Sequence, residues 1–346
     1  MSAVPTSAVP TRGENTAVRH RRTTRTTRKS RTTRATVRAL AAALAAFALP
    51  GTAAARGTPH APPRPAAAAT SAASAAAAEC ADPEASLRPS TADGPAVLRI
   101  KKRGRLIAGV DQNSYRWGYR DPASGRLKGF DIDLVHAIAK SLLGDPEKVV
   151  FLAIPTNQRI PALKSGKVDI VARTMTINCA RIKEVAFSTA YFEAGQQLLA
   201  PKGSPVTGFD DGSLTGRTVC AASGSTAETE LAKKGRSVRV TTVPNQLDCL
   251  VRLQLGRADA VLTDNALAAG QAAQDPSVGL VGKPFTTEYY GVAMNHDSAD
   301  LVRRVNAVLD DYRRGGADSP WMVSYRTWLD RANLGITAPP EPKYRD

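Results

Sequence analysis

Histidine, aromatic residues and long apolar runs are all scarce in this chain of 346 residues, and each scarcity removes a class of function. Only four histidines occur, and only His136 and His296 follow residue 60. The four cysteines show no Cys-x-x-Cys spacing, so nothing here has the pattern of a zinc site. Aromatics make up 5% of residues, which leaves few platforms for stacking bases. No apolar run approaches the roughly 20 residues of a membrane span, which excludes a multi-pass transporter. Acidic residues are in deficit, 31 against 47 basic, for a net charge of +16.

That charge is unevenly placed. Residues 1–55 carry ten basic side chains and one acid, Glu14, so +9 of the +16 sits there. The basic stretch ends at Arg38, an apolar run from Ala39 to Leu49 follows, and Pro50-Gly51 breaks it. Ala53-Ala54-Ala55 supplies a small-residue cleavage signature, so residues 1–55 read as a signal peptide for export. Residues 56–79 are Pro, Ala and Ser with too little bulky apolar surface for a core, a disordered linker. Cys80 is a poor lipid attachment site, because Glu79 precedes it where a small residue is needed. An exported chain with Cys80, Cys179, Cys220 and Cys249 meets oxidising conditions, so two disulfides are expected, with three pairings open.

From about residue 95, short β-rich runs alternate with amphipathic helical runs, the grammar of a mostly parallel α/β sheet. Strands are expected at Leu106–Val110, Val149–Ile154 and Val168–Ala172, with a helix over 132–143 capped by Asp131 and a short one at Arg159–Ser165. The pattern returns with strands at Arg217–Ala221, Val238–Val243 and Ala258–Leu262, and helices near 225–234, 246–255 and 265–274. Trp321 and Trp328, at i and i+7 of a C-terminal helix, are core candidates. An internal echo joins the halves: Leu163-x-x-Gly166-Lys167-x-Asp169-x-Val171 matches Leu253-x-x-Gly256-Arg257-x-Asp259-x-Val261. Both are a helix closed by a glycine and followed by a buried strand. Two similar lobes imply a cleft, and ligands meet strands at their carboxyl ends. The segments that matter are then Asp111–Trp117, Thr156–Arg159, Arg173–Arg181, Ser223–Thr226 and Thr263–Asn265.

At these segments the chain resembles the polar amino-acid solute-binding proteins of ABC importers, a family that extends to the ligand-binding cores of ionotropic glutamate receptors. The resemblance rests on Gly129-Phe130-Asp131-Ile132-Asp133-Leu134, on Arg159-Ile160-Pro161-Ala162-Leu163 leading to Gly166 and Asp169, and on Thr174-Met175-Thr176-Ile177 with Arg181. Phe187-Ser188-Thr189-Ala190-Tyr191, Ser223-Gly224-Ser225-Thr226, Asp264 and Tyr290-Gly291 continue it, so that it covers roughly residues 95–330. The glutamate/aspartate-binding proteins of Gram-positive bacteria are the subgroup it resembles most. The resemblance implies a two-lobed periplasmic-binding-protein fold of type II with a two-strand hinge. Lobe one would be 80–194 plus 292–346 and lobe two 195–291. It implies disulfides Cys80–Cys179 and Cys220–Cys249.

It also implies roles. Arg181 would clamp the ligand α-carboxylate, for which a guanidinium fork is suited. Thr174 and Thr176 would offer a carbonyl, an N–H and a hydroxyl. Ser225 and Thr226 open a helix whose free N–H groups favour an anion. Asp264 would hold the α-ammonium, Asp111 would face it from the other lobe, and Tyr115 and Trp117 would form cleft wall. Arg159, with Arg173 in its place or beside it, would pair with a side-chain carboxylate, since an unpaired charge in a closed cleft is costly. Some relatives that bind acidic ligands carry a further arginine where Asp111 stands, and this departure leaves glutamine and asparagine open as ligands.

The expected function is therefore capture of glutamate or aspartate outside the membrane, as a monomer without cofactor or metal, and delivery to an ABC-transporter permease. Two alternatives use the same cleft: a ligand-sensing subunit for a membrane receptor, and a dehydratase on the same fold. The second would recruit Asp111, Asp264 or Glu193 as acid or base, and no second motif calls for it.

Overall fold

The computed structural model describes residues 80–346; the expected signal peptide and linker lie outside the described residues. The described residues form two five-stranded sheets, each flanked by helices. In the first the order is Val149–Ala153, Leu106–Val110, Ile170–Val171, Ala293–Met294, Ala186–Phe187. In the second it is Arg239–Val243, Thr218–Ala222, Ala260–Asp264, Gln196–Pro201, Val278–Val281. The first three strands of each sheet are parallel, and the fourth runs against its neighbours. The chain passes between the sheets through Phe192–Ala194 and returns through Glu288–Tyr290, and these two strands pair antiparallel with Glu288 opposite Ala194. The result is two lobes joined by a two-strand hinge.

The internal echo occupies matching places in the two sheets. Gly166 and Gly256 close their helices with φ of 68° and 63°. The side chain of Asp169 then accepts from the N–H of Ile107 at 2.8 Å, and that of Asp259 from the N–H of Thr218 at 2.7 Å. Each aspartate thus ties the strand that follows its glycine to the neighbouring parallel strand of its own sheet, Leu106–Val110 in the first and Thr218–Ala222 in the second. This is why the same Gly-basic-x-Asp pattern serves twice.

Several of the few aromatics form a cluster beneath the hinge. Trp117 packs edge-on against Phe130, Phe192 and Tyr290, and Trp321 packs against Phe130, Phe192 and Tyr325. Trp321 lies in the expected C-terminal helix, Pro320–Trp328, and its indole N–H donates to the Tyr191 carbonyl at 2.7 Å. Two disulfides are formed, Cys80–Cys179 and Cys220–Cys249, with Cα–Cα distances of 5.7 Å and 5.5 Å. Among the described residues no helix is long and apolar enough to cross a membrane.

One local expectation is corrected. The helix expected to start on Asp131 runs Phe130–Leu143 with Gly129 as its N-cap. Gly129 has φ of 129° and sits so near the Trp117 carbonyl that a Cβ would lie 2.3 Å from its oxygen, so only glycine fits. Asp131 falls inside the first turn and points inward. Its carboxylate accepts from the Thr174 N–H at 3.1 Å and the Tyr191 hydroxyl at 2.7 Å.

Candidate functional site

Between the two lobes lies a cavity of about 10 Å³, lined from the first lobe by Thr156, Arg159, Thr174, Thr176 and Arg181. The facing side is lined by Gln196, Ser225, Thr226, Gln246, Thr263 and Asp264, with Ala227 and Leu267. Seven of the residues singled out in the sequence meet here: Arg159, Thr174, Thr176, Arg181, Ser225, Thr226 and Asp264. They converge because each follows the carboxyl end of a strand or opens the next helix.

Arg159 begins the helix Arg159–Lys164 and is 3% exposed. Its Nε donates to the Thr156 carbonyl at 2.9 Å, Nη1 to the carbonyls of Arg173 at 3.3 Å and Thr174 at 3.5 Å, and Nη2 to the Gly224 carbonyl at 3.3 Å. Arg181 is held by the turn that starts at Asn178, whose side chain accepts from the Arg181 N–H. Its Nη1 donates to the Thr176 carbonyl at 2.8 Å and its Nη2 to the Gly224 carbonyl at 3.0 Å. Both guanidinium groups therefore meet one carbonyl of the second lobe. Among the described residues neither forms an ion pair with a carboxylate. Burial lowers the pKa of both. For Arg159 the neighbouring charges of Arg181 and Arg173 add to that effect, whereas for Arg181 the charges of Glu288 and Asp264 oppose it. Arg181, a buried cation with only two carbonyl acceptors, is the natural seat of an anion.

Asp264 ends the strand Ala260–Asp264 and is the N-cap residue of the helix Asn265–Gln274, but its side chain makes no cap hydrogen bond. Its carboxylate accepts instead from the Gln196 amide and the Tyr290 hydroxyl. Burial pushes its pKa up, and the Glu288 charge pushes it further; the Tyr290 hydroxyl and the two arginines pull it back. A cation placed against it would find a partner already desolvated. Ser225 caps the helix Thr226–Lys233 by accepting from the Glu228 N–H at 3.2 Å, and the Thr226 hydroxyl accepts from Gln196 at 3.0 Å. Thr174 has φ of 42°, a left-handed conformation uncommon for a β-branched residue, and the Asp131 carboxylate holds its N–H.

Four expected residues lie outside the cavity. Asp111 is tied down by the N–H groups of Gln112 and Asn113, by the Ser114 hydroxyl and by Arg173 at 3.0 Å. Arg173 is fully buried, and it also donates to the Thr156 hydroxyl at 2.9 Å and, across the lobes, to the Asn245 side chain at 3.2 Å. Its charge is answered inside the protein. Trp117 turns into the aromatic cluster because Arg116, with φ of 71°, reverses the chain just before it, and its indole N–H crosses to the Ala266 carbonyl at 3.2 Å. Tyr115 lines a separate small cavity with Leu247, Leu267 and Gln271.

The sequence reading missed Gln196, Gln246 and Glu288. Gln196 and Glu288 belong to the lobe crossings, and a buried polar side chain within an otherwise apolar strand was the available signal. Glu288 and Tyr290 share the buried face of their strand while Tyr289 points away. The hinge is stitched to the arginine segment by Ile177 N–H to the Tyr289 carbonyl at 2.8 Å and Gly291 N–H to the Met175 carbonyl at 3.1 Å.

Residues 106–323 match the model for bacterial extracellular solute-binding proteins, family 3. The chain belongs to that family. It is 36% identical to the ABC transporter glutamine-binding protein of Bacillus subtilis (strain 168), over 67% of this chain and 84% of that one. It is 38% identical to a glutamine-binding protein of Geobacillus stearothermophilus, over 62% and 81% respectively. Among solved structures it is similar to an ancestral arginine-binding protein bound to glutamine, with a TM-score of 0.61 at 37% identity, covering 66% of this chain and 98% of that one. The lobes and hinge described above are those of a type II periplasmic-binding-protein fold, and the relatives named here are binding proteins.

Proposed function

We propose that this solute-binding protein captures a polar α-amino acid in the interlobe cavity, glutamine foremost, and delivers it to an ABC-transporter permease. One observation carries the reading: two buried guanidinium groups without a carboxylate partner face a buried aspartate across a closed cavity. An α-carboxylate fits Arg181, and an α-ammonium fits Asp264. The cavity holds about 10 Å³, room for about one water. An amino acid therefore enters only when the lobes part, and its contacts with both lobes then favour the closed form.

Glutamine is preferred to the dicarboxylates first expected on two grounds. The two glutamine-binding relatives match at 36% and 38% identity over more than four-fifths of their length. Arg159 already donates to four backbone carbonyls, so it is better placed to meet an amide oxygen than to neutralise a full charge. The second reading is glutamate or aspartate, favoured by the presence of Arg159 beside Arg181. Cationic ligands are disfavoured by the same two arginines. The family's extracellular character and the two disulfides support action outside the cytoplasm. The protein has a binding role in this reading, not a catalytic one.

The test is calorimetric titration with glutamine, asparagine, glutamate and aspartate, using protein unfolded and refolded to remove carried ligand. Tight binding of one of them is expected, weakened roughly 100- to 1,000-fold in Arg181→Ala by loss of a desolvated charge pair. No heat with any of the four overturns the reading. Loss of labelled glutamine uptake on deletion of the gene tests delivery to a permease.

A further inference from the structure

We infer that Glu288 is the specificity-determining residue of this cavity: its carboxylate balances Arg181, so that the closed site accepts a ligand with a neutral side chain and admits an acidic one only together with a proton. This deepens the amino-acid reading and rests on it.

The geometry begins at the hinge. Glu288 and Tyr290 lie on one face of the return strand, and the Tyr290 hydroxyl reaches the Asp264 carboxylate. The same strand bridges to Thr176, the residue whose carbonyl receives Arg181. Glu288 thus stands behind Arg181 and Asp264, and is itself 4% exposed. One of its oxygens accepts from the Thr286 hydroxyl at 3.1 Å, and the other, Oε2, has no hydrogen-bond partner. A buried carboxylate with an unpartnered oxygen is expensive to keep, and nearby positive charge is what offsets the expense. Its influence is visible on both neighbours: the charge of Glu288 favours the cationic form of Arg181 and opposes ionisation of Asp264.

The charged groups around the cavity can then be counted. Arg159 and Arg181 stand against Asp264 and Glu288. Arg173 stands against Asp111 as a closed pair. Asp131, on the helix behind Thr174, is held by Tyr191 and the Thr174 N–H, and burial shifts it toward its neutral form. Tyr191 and Tyr290 are kept protonated by burial. With Asp264 ionised, as a bound ammonium keeps it, the site is balanced. A zwitterion such as glutamine preserves that balance. Glutamate adds one negative charge to a dry cleft, where an unanswered charge is far costlier than in water, and the Asp264 carboxyl, already pushed up by burial and by the charge of Glu288, is the place for a compensating proton. Removing the charge of Glu288 leaves one positive charge over, which suits glutamate.

The experiment is titration of the protein with L-glutamine and L-glutamate in buffers of different ionisation enthalpy near neutral pH. Wild type is expected to favour glutamine, to take up about one proton more per glutamate than per glutamine, and to close the affinity gap as pH falls. Glu288→Gln keeps the shape and is expected to move the glutamine-to-glutamate affinity ratio at least tenfold toward glutamate and to abolish the proton uptake. Glu193→Gln, which removes an exposed charge from the paired crossing strand, is expected to leave the ratio unchanged. Proton uptake in the wild type tests the inference even if Glu288→Gln fails to fold. Absence of uptake with glutamate, a wild-type preference for glutamate, or an unchanged ratio in Glu288→Gln each overturns it while the capture reading stands. If neither amino acid binds the wild type, and asparagine and aspartate give no heat either, the capture reading itself has failed.

Discussion

Gly224 is where closure can be perturbed without touching the ligand-binding side chains. Its carbonyl receives both Arg159 and Arg181. It has φ of 78°, and a Cβ added there would lie 3.0 Å from Asn157 Cα and 3.2 Å from Asn157 Cβ. Asn157 belongs to the turn Thr156–Gln158 of the first lobe, so the clash exists only when the lobes meet. Gly224→Ala therefore has two separable effects. The left-handed conformation costs about 1–2 kcal/mol whether the cleft is open or closed, and appears as a melting temperature lower by a few degrees. The contacts with Asn157 cost roughly 1–3 kcal/mol, as overpacking does, and act on the closed form alone. Ligand affinity should fall roughly 5- to 150-fold. The loss should be equal for every amino acid that binds, because the clash does not sense the ligand. Titration of wild type and variant with glutamine and glutamate, beside ligand-free melting curves, reads both effects. Unchanged affinity with a lowered melting temperature would refute the account of closure, and a ligand-dependent loss would show that Gly224 acts through the arginines instead.

Asn245→Ser keeps a good helix cap but is too short to reach Arg173, whose 3.2 Å hydrogen bond crosses the lobes; affinity should drop roughly tenfold for all ligands, with stability nearly unchanged. Replacing Cys220 and Cys249 together by alanine opens a loop with a sequence separation of 29, worth about 3.6 kcal/mol in the chain-entropy model. The melting temperature should fall by roughly 5–10 °C, and an unchanged value would sink that assignment. Burial raises the Asp131 carboxyl to about 7 from an ordinary value of 3.8, so the folded chain binds its proton more tightly than the unfolded chain does. Its contribution to stability is then present near pH 4 and is lost as pH rises toward 7. Melting curves between pH 4.5 and 8, in approximately half-unit steps, should show a decline that is shallower in Asp131→Asn, and identical slopes would refute the shift.

What the sequence made legible were the features written in local chemistry. The expected strand at Leu106–Val110 is present as such, and the helices near 225–234 and 246–255 appear as Thr226–Lys233 and Gln246–Gln254. The echo around Asp169 and Asp259 proved to be one structural device used twice, because a glycine, a turn and a strand-tying carboxylate need no distant partner to be recognised. The helix Ala299–Arg313 was overlooked although Leu301, Val302, Val305, Val308 and Leu309 line one side of it at helical spacing. Other features depend on long-range geometry. Whether Trp117 faces a cleft or a core turns on the backbone at Arg116, which no side-chain pattern announces. Asp111 and Arg173 have the chemistry of ligand contacts, and it is their mutual distance of 3.0 Å that removes them from the cavity. Gln196 and Glu288 sit at the two crossings, where a polar residue in an apolar strand signals a buried partner but not which one.

Recognition and closure become a single event at the Gly224 carbonyl. In the closed form both arginines donate to it across the lobes, so each buried cation is satisfied by neutral dipoles alone. A carboxylate bound to Arg181 replaces part of that ion–dipole contact with an ion pair in which donor and acceptor both carry charge. The ligand's ammonium does the same at Asp264, which now shares its charge with an amide and a phenol. Each exchange strengthens a contact that is complete only when the lobes are together. A ligand lacking either the carboxylate or the ammonium therefore loses the differential affinity that drives closure, not merely one contact. The free α-amino acid carries both charged groups on one carbon, and a short peptide, with those charges far apart, cannot serve the two groups at once.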